Sequence, residues 1–211
     1  MTKVKICGIT NQQDALWAAN LGVDFIGLNF FKDSQRKISL DMAKDVIAKL
    51  PPFVKTVGIF VNEELKSIQK IATQSPLELV QLHGSETPAF CAELKQLLDG
   101  VKIIKAFRVQ NEESLASIPQ YADCADYYLL DAYVPGQMGG TGEIFNWELA
   151  VKAGEFGKPL FLSGGLNPSN IADAVEKVKP FAVDVASGVQ KSQRRKDYEL
   201  MKEFVKKVKG F

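Results

Sequence analysis

Cys7 closes the opening apolar run Val4-Lys5-Ile6-Cys7, and Gly8 turns the chain away immediately after it. Asp131 closes a second such run, Tyr127–Asp131, far along the chain. A thiol and a carboxyl placed at strand ends suit proton transfer, one group taking a proton while the other gives one. Position alone does not decide the matter for Cys7, because free cysteine also packs as a small buried hydrophobe. The elements around these two residues carry the decision.

Short aliphatic or β-branched runs occur at 3–7, 23–30, 54–61, 77–82, 101–107, 127–131, 159–163 and 181–186. Segments with helical spacing lie between them, at about 11–21, 39–50, 63–74, 86–98, 111–118, 146–156, 168–178 and 194–208. Eight strand–helix pairs in alternation predict a parallel sheet with right-handed crossovers. Eight is also the number that closes a (β/α)8 barrel, so the expected fold class is α/β, a compact TIM barrel with residues 1–211 as one domain. An open doubly wound sheet is the alternative, but no Gly-x-Gly-x-x-Gly turn follows the first strand.

Helix-start signals agree with that segmentation. Thr10-Asn11 and Ser39 are placed to cap the first and second helices, Asn62 the third, and Asn167-Pro168 sets proline at the start of the seventh. Pro51-Pro52 separates the second helix from the third strand.

Strand alternation then sorts side chains between barrel interior and helix layer. Val4, Ile6, Tyr128, Leu130, Val183 and Val185 suit the helix layer. Lys5, Cys7, Asp131 and Asp184 therefore point inward, with Cys7 and Asp131 at the mouth. Lys5 and Asp184 fall on adjacent strands and are expected to pair, since a lone buried charge is costly. Asp184 is also placed to reach a substrate hydroxyl, and Lys5 to lower the pKa of Cys7. Asp126 begins its strand and belongs to the opposite face, as a turn residue.

Two glycine turns read as an anion site. Ser163-Gly164-Gly165 follows the seventh strand and Ala186-Ser187-Gly188 the eighth, where barrels of this class commonly hold phosphate on backbone N–H groups. Two connections are long, 31–38 and the glycine-rich 132–145, which includes Gly140 and reads as a lid. Arg36 in the first of them has the fork geometry to hold a carboxylate. His83, the one histidine, ends the fourth strand and is expected to line the pocket wall.

Composition excludes several classes. A net charge of +1 gives no basic field for nucleic acid or a membrane surface. Three scattered cysteines without a CxxC pair indicate neither a disulfide framework nor a zinc site. No leader pattern precedes the first strand and no run approaches a membrane span, so a cytoplasmic protein is expected, and a single histidine gives little support to a metal site.

At this point the chain resembles the phosphoribosylanthranilate isomerases of tryptophan biosynthesis. The resemblance rests on Lys5–Thr10, Val57–Asn62, Val80–Gly84, Ile104–Phe107, Leu129–Asp131, Gly139–Gly142 with Phe145-Asn146-Trp147, Leu162–Pro168 and Val183–Val189, in that order. It implies a cofactor-free aldose–ketose isomerase performing an Amadori rearrangement of N-(5-phosphoribosyl)anthranilate. It further implies Cys7 as general base, Asp131 as general acid, Arg36 on the anthranilate carboxylate, and phosphate on the backbone of Gly164, Gly165, Ser187 and Gly188. The implied partner is a small phosphosugar, with no nucleic acid or membrane, and the chain a monomer or homodimer. The chain departs from the family pattern at Leu28 and Asn29, at Ala186 in place of a usual serine, and in Gln190–Lys196, which lacks a Pro-Gly. Neighbouring phosphate-binding barrels fit less well: an indole-glycerol-phosphate synthase wants an N-terminal extension with catalytic lysine and glutamate, and a pentose-phosphate epimerase wants metal-binding histidines. A barrel that only binds a phosphosugar is the non-enzymatic alternative.

Overall fold

Side chains that alternate in direction along eight short strands, buried on both faces, build two cores from one sheet. The computed structural model describes residues 1–132 and 147–210. Strands β1 (Lys3–Cys7), β2 (Phe25–Asn29), β3 (Lys55–Phe60), β4 (Leu79–Leu82), β5 (Lys102–Val109), β6 (Tyr127–Ala132), β7 (Leu160–Leu162) and β8 (Ala182–Val185) pair in parallel. Their order follows the chain, and β8 returns to β1, closing the barrel. Phe25, Val57, Leu79, Ile104, Leu129, Phe161 and Ala182 fill the interior. Val4, Ile6, Tyr128, Leu130, Val183 and Val185 face the helices instead, as alternation requires.

Helices α1 (Gln12–Asn20), α2 (Leu40–Ile47), α3 (Leu65–Gln74), α4 (Pro88–Leu97), α5 (Trp147–Gly154), α6 (Ile171–Val178) and α7 (Tyr198–Lys209) form the outer layer. Asn11 caps α1 by accepting from Asp14 N, and Ser39 caps α2 by accepting from Met42 N. Three local expectations are corrected. The segment 111–118 is not an α-helix: two 3-10 turns, Glu112–Leu115 and Ile118–Tyr121, stand there. Asn111 and Ser114 close a capping box around the first turn, and Pro119 withholds the N–H that a continuous helix would need. Asn62 does not cap α3, whose N-cap is Glu64 without a side-chain bond. Asn62 Oδ1 instead accepts from Ser85 N at 2.8 Å, tying the loops after β3 and β4 together. Pro168 precedes α6 by three residues, and Asn167 and Asn170 form the turn between them.

After β8 the chain makes a hairpin, β9 (Gln190–Ser192) with β10 (Arg195–Lys196). It replaces the missing Pro-Gly with Arg194 at φ 66°, whose carbonyl accepts from the Thr10 hydroxyl at 2.8 Å. The hairpin thus lies over the end of β1. No described helix is long and apolar enough to cross a membrane.

Candidate active site

The carboxyl ends of the strands surround a cavity of about 430 Å³ lined by Cys7, Arg36, His83, Arg108, Asp131, Asp184 and the turns after β7 and β8. Cys7 comes from β1 and Asp131 from β6, three strands apart around the ring, so both side chains face one space from different walls. Asp131 is nearly closed to solvent and Cys7 half-buried.

Beneath the thiol, Lys5 Nζ binds Asp184 Oδ1 at 2.9 Å in the barrel interior. The interior pair expected from strand parity is therefore present. Burial opposes the charge on Lys5, but Asp184 and then Cys7 more than offset it and hold the lysine above its ordinary 10.5. For Cys7, burial is the largest influence and pushes the thiol up. Lys5, Lys196 and Arg36 pull it down, and Asp184 pushes it up again. Lys5 thus acts in the expected direction but does not prevail, because its charge is shared with Asp184 and the thiol has lost water.

Asp131 meets His83, whose Nε2 lies 3.4 Å from Asp131 Oδ2. Gln81 Nε2 lies 2.8 Å from the other ring nitrogen, Nδ1. With the Gln81 amide donating, the hydrogen-bond network assigns the imidazole proton to Nε2, facing the carboxylate. Arg108 is the register neighbour of Asp131 and donates from Nη2 to the His83 carbonyl at 3.3 Å. It was not among the residues expected from sequence, although it shares the inward parity of Ile104 and Ala106.

Arg36 is fixed before any ligand arrives. Its Nε and Nη2 both donate to Gln190 Oε1, at 2.9 and 2.7 Å. Gly8, at φ 75°, makes room for it, since a Cβ there would lie 2.4 Å from Arg36 Cδ. A neutral amide orients the guanidinium without cancelling its charge, leaving a cation at the cavity wall suited to a carboxylate. Gln190 carries no sequence signal for this role, because only the hairpin brings it to residue 36.

The two glycine turns, after β7 and β8, belong to the same cavity. Gly164 and Gly165 have φ of 91° and 68°, and Gly188 passes so close to the preceding loop that a Cβ would lie 2.0 Å from Leu166 O. Gly164, Gly165 and Ser187 line the cavity, and glycine there lets backbone approach an anion; Gly188 packs against the Leu166 carbonyl and is not among the lining residues. Of the departures noted above, Leu28 lies in the outer core and does not touch the cavity. Asn29 and Ala186 line it. The expected lid residue Gly140 lies outside the described residues.

Lys196 falls in the segment 194–208 whose spacing is helical, with a solvated basic face expected there, but the structure places it in β10, ahead of α7, and turns it inward. It is 3% exposed and its Nζ donates to Cys7 O at 2.7 Å and Ala186 O at 2.8 Å. Burial draws it down to about 7, against the upward pull of Cys7. Among the described residues, no three histidine, cysteine, aspartate or glutamate side chains group to hold a metal ion.

Comparison with known proteins points one way. Residues 4–207 match the family model described as N-(5'-phosphoribosyl)anthranilate (PRA) isomerase. The N-(5'-phosphoribosyl)anthranilate isomerase of Geobacter sp. (strain M21) is 50% identical over 209 residues, 99% of this chain and 98% of that protein. The crystal structure of phosphoribosyl anthranilate isomerase from Thermotoga maritima superposes with a TM-score of 0.93 at 41% identity, covering 100% of both chains. A structure of such an isomerase in complex with reduced 1-(o-carboxyphenylamino)-1-deoxyribulose 5-phosphate gives a TM-score of 0.89 at 39% identity, again over 100% of both chains.

Proposed function

The chain belongs to the N-(5'-phosphoribosyl)anthranilate isomerase family, and from that premise we propose that Cys7 and Asp131 are its general base and general acid. The enzyme catalyses the Amadori rearrangement of N-(5-phospho-β-D-ribosyl)anthranilate to 1-(2-carboxyphenylamino)-1-deoxy-D-ribulose 5-phosphate, a step of tryptophan biosynthesis.

The observation that carries the assignment is that one cavity has a thiol and a carboxyl on different walls, a fixed guanidinium on one side and two glycine turns on another. A substrate with a carboxylate at one end and a phosphate at the other spans that arrangement. Arg36 holds the anthranilate carboxylate through the guanidinium edge that Gln190 leaves open. The phosphate rests on the backbone of Gly164, Gly165, Ser187 and Gly188, where N–H groups suit an anion. These two anchors fix the ribose between Cys7 and Asp131, and the binding energy of the ends is used to orient the reacting centre.

Asp131, carrying a proton, gives it to the furanose ring oxygen. The C1'–O bond breaks as the anthranilate nitrogen lone pair forms the C1'=N bond of a Schiff base. Cys7, as thiolate, then removes the proton from C2', and that C–H electron pair forms the C1'=C2' bond while the C1'=N pair returns to nitrogen. The resulting enolamine tautomerises to the aminoketose. His83, with its Nε2–H toward Asp131, stabilises the carboxylate left after proton delivery. Asp184 has a second oxygen beyond the one bound to Lys5, and it accepts from a sugar hydroxyl. Gly140 belongs to the loop assigned as the lid.

A free thiol as catalytic base fits a reducing cytoplasm. The test is the loss of anthranilate-ribose fluorescence on mixing with freshly generated substrate. Wild type converts it, while Cys7→Ser and Asp131→Asn each lose about 100-fold or more in turnover and keep their affinity for inorganic phosphate. Normal turnover in either variant refutes that residue's role. Binding without conversion by the wild type would indicate a phosphosugar-binding barrel.

A further inference from the structure

Lys196 reaches Cys7 from behind, through the backbone rather than the cavity. It belongs to β10, and its backbone N–H donates to Asp14 Oδ2 on α1 at 2.9 Å, which anchors the hairpin. Its side chain then passes inward to the gap between β1 and β8. There Nζ donates to the carbonyl of Cys7, which ends β1, and to that of Ala186, just beyond β8. Those strands are hydrogen-bonded neighbours, and the two carbonyls lead respectively into the thiol and into the Ser187-Gly188 turn. Lys196 forms no ion pair with a carboxylate among the described residues, unlike the buried Lys5 and Lys105, which bind Asp184 and Glu86 at 2.9 Å.

We propose that Lys196 is a positioning residue for the catalytic base: its ammonium pins the Cys7 and Ala186 carbonyls together and supplies the positive charge that favours the Cys7 thiolate. This rests on the assignment of Cys7 as base. The charged groups around the thiol include Lys5 on the same strand, Asp184 on β8, Arg36 from the loop after β2, and Lys196 with Asp14 behind it, with Asp131 and Arg108 on the far walls of the cavity. Lys5 and Asp184 neutralise one another at 2.9 Å. Arg36 is neutralised in turn when a substrate carboxylate occupies it. Lys196 then remains, behind the thiol, as a cation that balances a thiolate at the moment the C2' proton is taken. Burial draws the Lys196 ammonium down to about 7 while Cys7 pulls it up, and Lys196 in turn pulls the thiol down, so each charge favours the other within one coupled pair.

The test compares wild type, Lys196→Met, Lys196→Arg and Cys7→Ser as full chains. Two readouts are taken: steady-state kinetics, and the pH dependence of Cys7 alkylation by iodoacetamide, with Cys7→Ser as background. The expected result for Lys196→Met is a fall in kcat of about tenfold, with the alkylation midpoint about one unit higher and KM within about threefold of wild type. Lys196→Arg, which keeps the charge, restores most of the midpoint. An unchanged midpoint in Lys196→Met, or equal losses in both lysine variants without a midpoint shift, overturns the proposal. If Lys196→Met does not fold, the reciprocal measurement decides: the Lys196 ammonium, followed by NMR, titrates lower in Cys7→Ser than in wild type, and identical midpoints overturn the proposal. Full turnover by Cys7→Ser would instead remove the base assignment and the proposal with it. A dead Cys7→Ser beside an unaltered Lys196→Met removes the role of Lys196 alone.

Discussion

Lys5 Nζ and Asp184 Oδ1 lie 2.9 Å apart inside the barrel, on neighbouring strands and directly beneath the thiol of Cys7. With side-chain exposures of 0% and 5%, neither charge has water to fall back on. Lys5→Met leaves the Asp184 carboxylate buried without its partner, a change that costs about 3–5 kcal/mol of stability. Urea unfolding checks this. The double variant Lys5→Met/Asp184→Leu is expected to lose less than Lys5→Met alone, because no charge is then stranded. A single-variant loss below about 1 kcal/mol would match a solvent-screened pair instead.

The pH dependence of stability has a definite sign near neutrality. Lys196 is held at about 7 in the folded chain, against an ordinary 10.5. Between those values the unfolded chain binds a proton that the folded chain does not, so stability rises with pH. Cys7, held above its ordinary 9.0, works the other way, but only above about that pH. Lys5, raised above 10.5, contributes stability that is fully present below that value and lost only above it. Urea midpoints measured at pH 7 and pH 9 should therefore rise in wild type, and the rise should shrink in Lys196→Met.

Gly188→Ala tests the phosphate turn. A Cβ at that position would lie 2.0 Å from Leu166 O, a backbone atom, so the two turns must separate. KM is expected to rise about tenfold, a loss of about 1.4 kcal/mol in binding, with inhibition by inorganic phosphate weakened in parallel. Unchanged phosphate inhibition would remove the turn from the binding site.

Arg36→Met tests the other anchor. Loss of a charge-assisted bond to carboxylate is worth about 1.5–3 kcal/mol, which raises KM by roughly 10- to 100-fold. Phosphate inhibition should stay as it is, since the glycine turns follow β7 and β8 while Arg36 comes from the loop after β2. An equal loss of phosphate affinity would mean that Arg36 shapes the whole pocket and is no local carboxylate site.

Strand alternation made the barrel and the inward set Lys5, Cys7, Asp131 and Asp184 legible, because a period of two assigns each side chain to a layer once the strand is recognised. The same parity marks Arg108 and Gln81 as inward. What alternation does not encode is an approach from outside the barrel. Lys196 and Gln190 act on Cys7 and Arg36 from a hairpin more than 150 residues along the chain, and no local pattern signals such a contact. The segment 111–118 has helical spacing, yet Pro119 and the capping box around Asn111 favour two 3-10 turns. Asn62 resembles a cap in sequence, but its side-chain oxygen accepts from Ser85 N across the loop. In the segment 111–118 a local proline and cap overrode the helical spacing; at Asn62 a tertiary partner outweighed a local preference.

The account stands or falls on Cys7 as the group that takes the C2' proton. Substrate deuterated at C2' and followed by NMR under single-turnover conditions tests this most directly. Wild type should lose deuterium from C2' as the aminoketose forms, more slowly than the protiated substrate reacts, and Cys7→Ser should retain it with ligand bound. Deuterium loss by Cys7→Ser at the wild-type rate would contradict the account.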